Sequence, residues 1–116
     1  TGESQLLPYS ISKGGLMTLS RNLANSLANS QVRVTHFNVG WVLTENEYKV
    51  KIKDGLPPDW PERIGKEFLP GGRLINPEEI AATAVFWLSD EPGPISGSVI
   101  ELEQYPVIGR NPDKGV

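Results

Sequence analysis

Tyr9-Ser10-Ile11-Ser12-Lys13 places a phenol and an ammonium four residues apart near the start of the chain. On a helix that spacing puts both groups on one face, a single turn apart. Tyrosine ordinarily gives up its proton only near pH ~10. A fixed positive charge alongside favours the phenolate and lets the proton exchange nearer neutral pH. The other reading of the same five residues is an exposed Tyr and Lys at the head of a surface helix, and spacing alone does not separate the two.

The elements that would position this pair follow from pattern. Pro8 suits the first turn of a helix, and Ile11, Leu16, Leu19, Leu23 and Leu27 recur at helical spacings as one apolar stripe, widened by Ala24 and Ala28. Gly14-Gly15 weakens that helix by about 1 kcal/mol per glycine, a cost usually accepted where a backbone or ligand must come close. Asn29-Ser30 is expected to end it. Residues 32–39 (Val-Arg-Val-Thr-His-Phe-Asn-Val) read as a strand covered on both faces, stopped by Gly40.

Thr44 reads as a helix N-cap with Glu47 as its capping-box partner. Residues 44–70, charged and broken by Pro57, Pro58, Pro61 and Pro70, are expected to form a long lid or binding loop containing Trp60 and Phe68. Asn76-Pro77-Glu78-Glu79 signals a helix start, and Ile80, Ala84, Trp87 and Leu88 mark its inner face. After the turn at residues 90–94, Gly97-Ser98-Val99-Ile100-Glu101-Leu102 reads as a last strand, with an irregular tail over residues 105–116.

The order helix, strand, loop, helix, strand implies a parallel strand pair joined by a crossover helix. Two such strands need neighbours, so the expected class is α/β. The chain reads as the C-terminal half of one doubly wound, Rossmann-type domain spanning residues 1–116. The polar start Thr1-Gly2-Glu3, running almost at once into a helix, looks like a cut through a longer polypeptide.

Composition narrows the function. A net charge of -3 over 116 residues argues against nucleic acid or an anionic membrane as the main partner. The run Lys49-Val50-Lys51-Ile52-Lys53 is better read as a solvated surface than as a phosphate site. With no cysteine and one histidine, thiolate and histidine-cluster metal sites are excluded, so no metal is expected. His36, inside a strand, reads as structural. No apolar run reaches the ~20 residues of a membrane span, and the expected compartment is the reducing cytoplasm.

Four segments in this order resemble the short-chain dehydrogenase/reductase family. Tyr9-Ser10-Ile11-Ser12-Lys13 is similar to its Tyr-x-x-x-Lys motif, and Val32-Arg33-Val34 to the following strand. Gly40-Trp41-Val42-Leu43-Thr44 resembles its Gly-x-Val-x-Thr cofactor segment, and Asn76-Pro77-Glu78-Glu79-Ile80-Ala81 with Leu88-Ser89-Asp90 and Ser96-Gly97 its late helix and final turn. The likeness covers residues 8–102. It implies a Rossmann-type fold, NAD or NADP as cofactor, and hydride transfer between the nicotinamide and an alcohol or carbonyl substrate. It implies Tyr9 as general acid/base, and Lys13 as the group that lowers the tyrosine pKa and orients the cofactor ribose.

It also implies cofactor contacts from Tyr9, Lys13, Gly40, the Val42 backbone and Thr44, and a homodimer or homotetramer packed through the first helix. Trp41 and Tyr48 either line the substrate pocket or simply pack. Two departures stand out: Val39 precedes Gly40 where the family often has proline, and Glu103-Gln104-Tyr105 replaces its usual Asp-Gly-Gly. The second suggests that residues 105–116 pack differently or border the substrate pocket. The family's carbonyl-binding serine and glycine-rich phosphate turn are not found in the chain.

A competing reading keeps the scaffold and drops the chemistry, leaving an oligomerisation or ligand-sensing module. It gives no use for Tyr9 and Lys13 beside a retained Gly40 to Thr44 turn. A serine hydrolase fails for want of a Gly-x-Ser-x-Gly elbow.

Overall fold

A computed structural model describes residues 6–104 of the chain. Helix α1, Leu7–Ser26, begins with Pro8 in its first turn, where a missing N–H costs nothing. It ends at Ser26, and Asn29-Ser30 belongs instead to a separate 3-10 turn, Ala28–Ser30. Strand β1 is His36–Val39, shorter than the apolar run that announced it. The reason lies in its partner. β2, Val99–Leu102, pairs in parallel from His36 opposite Val99 to Val39 opposite Leu102. Ahead of that register the chain turns sharply at Gly97, whose φ of 79° places it in the left-handed region. Val34 is therefore held by the Ser96 hydroxyl and the Gly97 N–H rather than by a ladder.

A parallel pair needs a crossover, and this one holds more structure than a loop. Helix α2, Glu45–Lys53, starts at Thr44; the short α3 is Trp60–Arg63; α4 is Pro77–Leu88. At the head of α4 the Glu79 carboxylate accepts the Asn76 N–H at 2.8 Å and a two-pronged Arg73 contact at 2.6 and 2.8 Å. Hydrogen bonding from Arg73, then from the Asn76 backbone, holds that carboxyl down at about 2. Ile80, Ala84 and Trp87 are half-buried as expected, but Leu88 is 82% exposed. The helix ends there. Arg33 donates to the Trp87 and Ser89 carbonyls, satisfying groups that a helix end leaves unpaired.

The buried core is not under the sheet. Trp60, Leu69 and Leu74 form it, with Trp41, Leu43, Tyr48, Ile64 and Phe68 packed around them. It joins the turn after β1 to helices α2 and α3. Trp60 is 2% exposed, and its indole N–H has no partner among the described residues. That deficit costs about 1–3 kcal/mol, set against ring stacking with Trp41 and Tyr48. On α1 only Ala24 is buried, beside Gly97, while Ile11, Leu16, Leu19 and Leu23 are exposed. The predicted stripe is thus an open apolar face. Among the described residues no helix is long and apolar enough to cross a membrane.

Candidate active site

Tyr9 and Lys13 lie on successive turns of α1, and the ammonium stands over the phenol ring, 5.5 Å from its centre. The i, i+4 spacing of a regular helix brings them together without any help from the rest of the fold. Tyr9 is 58% exposed, so its hydroxyl is reachable from solvent. The Ser12 hydroxyl donates to the Tyr9 carbonyl at 2.7 Å, a local helix contact. Among the described residues nothing stands within 4 Å of where a Cβ would project from Gly14 or Gly15, so none of them makes the close approach expected there.

Gly40, Val42 and Thr44 share the turn leaving β1. The Gly40 N–H donates to the Leu102 carbonyl at 2.9 Å, extending the ladder by one bond. Its φ is not positive, so the turn does not need glycine there for backbone freedom. Space is the reason instead: a Cβ at Gly40 would stand 2.7 Å from the Glu103 carboxyl carbon and 3.0 Å from the Leu102 carbonyl. Glu103 is half-buried there, and this partial burial first, then the neighbouring charge of Glu101, pushes its carboxyl above the usual range.

Val42 forms a single parallel bridge with Ile75. Leu43 N–H donates to the Ile75 carbonyl at 2.9 Å, and Ile75 N–H to the Trp41 carbonyl at 3.1 Å. In a parallel bridge the central residue's own N–H faces the other way. The Val42 N–H accordingly makes no hydrogen bond among the described residues. The Thr44 hydroxyl oxygen accepts the Glu47 N–H at 3.0 Å as the N-cap of α2. Its proton goes to no acceptor among the described residues. The predicted box is only half closed, since Thr44 N–H turns to the Val42 carbonyl at 3.1 Å.

The structure thus assembles two groups, Tyr9 with Lys13 on α1 and Gly40 with Val42 and Thr44 at the end of β1. Among the described residues no hydrogen bond, ion pair or ring contact joins one group to the other. Of the two residues left between packing and pocket, Trp41 and Tyr48 both stack on Trp60. His36 has both ring nitrogens engaged, Nδ1 with Ser20 Oγ at 3.1 Å and Nε2 with Asn38 Oδ1 at 3.0 Å.

Two side chains make contacts that no sequence signal was strong enough to reveal. The Glu47 carboxylate accepts the Trp41 indole N–H at 2.8 Å. The Gln104 amide accepts the Gly71 N–H and donates to the Arg73 carbonyl, both at 2.7 Å, tying the end of β2 to the approach to α4. This tie is what the departure from Asp-Gly-Gly supplies; the tail from Tyr105 onward lies outside the described residues. A cavity of about 400 Å³ opens beside it, lined by Arg73, Ile75, Glu79, Ile80, Glu101 and Glu103, and takes in none of the predicted site residues.

A family model described as Enoyl-(Acyl carrier protein) reductase matches residues 2–104. An uncharacterized oxidoreductase of Thermotoga maritima is 43% identical over 84 residues, 72% of this chain and 32% of that protein. The crystal structure of a short chain dehydrogenase family protein from Francisella tularensis is similar with a TM-score of 0.72 at 31% identity, covering 87% of this chain and 43% of that one. L-sorbose reductase from Gluconobacter frateurii, solved with NADPH and L-sorbose, gives a TM-score of 0.72 at 28% identity, covering 82% and 38%. The chain spans about a third of the length of the curated relatives it matches. Its parallel α/β architecture and the match over residues 2–104 establish that this chain belongs to the short-chain dehydrogenase/reductase family, whose fold is of the Rossmann type and whose cofactor is NAD or NADP.

Proposed function

We propose that the intact protein carrying this chain is an NAD(P)-dependent oxidoreductase acting on an alcohol or carbonyl substrate. The observation that carries this reading is the Tyr9/Lys13 pair, held on one face of α1 with the ammonium over the ring and the phenol open to solvent. Family membership supports it.

The donor set fits a nicotinamide cofactor. Among the described residues the Val42 N–H has no partner and the Thr44 hydroxyl donates to none, while its oxygen caps α2. Both suit acceptor oxygens such as those of a carboxamide or a pyrophosphate. Gly40 does not form an open cradle, because Glu103 fills the space beside it; its part is to let β2 come close. When bound, the nicotinamide supplies hydride to the carbonyl carbon or takes it from the alcohol carbon.

The chain's own residues then handle the proton. Tyr9 gives its phenolic proton to the substrate oxygen in reduction and takes one back in oxidation. Lys13 places positive charge alongside, which favours the oxygen while it is negative. Val42 and Thr44 orient the cofactor, and α2 with α3 covers the site as a lid over residues 45–70.

The exposed apolar row Ile11, Leu16, Leu19 and Leu23 supports a homodimer or homotetramer, and the lack of cysteine suits a reducing cytoplasm. The test is calorimetric titration of the intact protein with NADH and NADPH, then assay against alcohols and carbonyls at the absorbance of the reduced nicotinamide. Binding with turnover supports the proposal. Absence of any cofactor binding rejects it in favour of a non-catalytic scaffold.

A further inference from the structure

Glu47 occupies the third position of α2, where a capping box would send its carboxylate back to the Thr44 N–H. It goes elsewhere. The carboxylate accepts the Trp41 indole N–H at 2.8 Å, while the Glu47 backbone N–H donates to Thr44 Oγ1 at 3.0 Å. One residue therefore grips both ends of the turn whose centre is Val42. The grip is sheltered: the Glu47 and Lys51 side chains are each only 30% exposed. Lys51 adds a cation 3.9 Å from that carboxylate and 6.0 Å from the Trp41 ring centre.

Beyond Trp41 the connection continues into the lid. The Trp41 ring stacks on Trp60 at 5.9 Å and 21°, Tyr48 stacks on Trp60 at 6.3 Å, and the Tyr48 hydroxyl donates to the Pro58 carbonyl at 3.1 Å. On the opposite side the turn is fixed by the Ile75 backbone. The Trp41 indole is thus the piece through which the lid bears on the turn, and Glu47 sets its orientation.

We infer that Glu47 is a positioning residue. It presents the Val42 N–H and Thr44 hydroxyl to the cofactor and locks the lid helices to that presentation, although it touches no ligand itself. The inference rests on the functional reading above and adds to it the residue that couples lid to cofactor. A lost charge-assisted hydrogen bond in a sheltered site corresponds to about a tenfold change in binding.

The experiment uses the intact protein and titrates NADH and NADPH against wild type, Glu47→Ala, Glu47→Gln, Trp41→Phe and the Glu47→Ala/Trp41→Phe double variant. Glu47→Ala is expected to weaken binding of the preferred cofactor about tenfold and to shift tryptophan emission to the red. Glu47→Gln, whose amide oxygen still accepts the indole N–H, should restore binding to within about twofold. Trp41→Phe should match Glu47→Ala, and the double variant should be no worse than either single one, because both remove the same bond. Binding within about twofold of wild type in Glu47→Ala, with only the melting temperature lowered, would overturn the inference and leave the functional reading standing. So would additive losses in the double variant. If wild type binds neither cofactor, the functional reading fails and takes this inference with it.

Discussion

The ammonium of Lys13 stands over the face of the Tyr9 ring, 5.5 Å from its centre, on successive turns of one helix. At an exposed site such a cation–π contact contributes about 0.5–1 kcal/mol. It holds the charge beside the phenol while Tyr9 stays exposed. Tyr9→Phe keeps the ring and the cation but removes the proton carrier. Turnover by the intact protein should fall by at least ~10²-fold, with cofactor affinity and melting temperature close to wild type. Steady-state kinetics with matched cofactor titrations check this, and unchanged turnover would reject the role given to Tyr9.

The cap that Thr44 provides and the cofactor contact proposed for it can be separated by substitution. Thr44→Ser keeps both the cap and the donor, and should behave like wild type. Thr44→Val keeps the shape and loses both; it should cost about 1 kcal/mol of stability through the lost cap and weaken cofactor binding. Thr44→Asp isolates the two, since it caps α2 but offers no proton. Its expected signature is a near-normal melting temperature with impaired cofactor binding. Normal binding in Thr44→Asp would remove Thr44 from the cofactor site.

Gly40 is constrained by Glu103. Gly40→Ala forces a methyl group against the Glu103 carboxyl and the Leu102 carbonyl, and should lower the melting temperature. Adding Glu103→Ala should recover part of the loss, since the carboxylate can be removed and the Leu102 carbonyl cannot. Glu103→Gln alone should raise the melting temperature at pH 7. Its carboxyl is pushed up by burial and by Glu101, so folding disfavours the charged form. The gain should vanish at pH values below the ordinary carboxylate range, where the group is protonated in both states.

Glu79 titrates in the opposite direction. Its carboxyl is held at about 2 in the fold against an unfolded value of 4.5. The stability this contributes is therefore fully present above pH ~4.5 and lost as pH falls toward ~2. Glu79→Gln should melt below wild type at pH 7, and the two curves should converge near pH 2. Because the pair is on the surface, added salt should also narrow the gap. Thermal melts across pH at two salt concentrations decide it, and a gap that persists unchanged at pH 2 would contradict the pairing.

Much of this was legible along the chain because it is local. The start of α4 needs only Asn76, Pro77 and Glu79 within four residues, and Tyr9 meets Lys13 because a helix brings every fourth residue round. The α2 cap at Thr44 was visible for the same reason. The start of β1 was not: Val32 and Val34 look like strand, but pairing begins only where β2 has a residue to offer opposite His36. Leu88 fits the helical stripe and is still exposed, because periodicity reports a face and not what lies against it.

By itself, then, the sequence determined α1, α4, the two strands with their parallel pairing, the Tyr9/Lys13 face and the family, from local pattern, element order and ordered motifs, but it read residues 44–70 as a loop where α2 and α3 form. Tertiary structure decided which side chains meet across long separations. Only folding brings Glu103 against Gly40, Gln104 onto the loop before α4, and the Trp41 ring onto Trp60. It also diverted the Glu47 carboxylate from its local cap to Trp41. Hydrogen-bond partners of equal chemistry compete, and the packed position of α2 and α3, which no local spacing encodes, chooses between them.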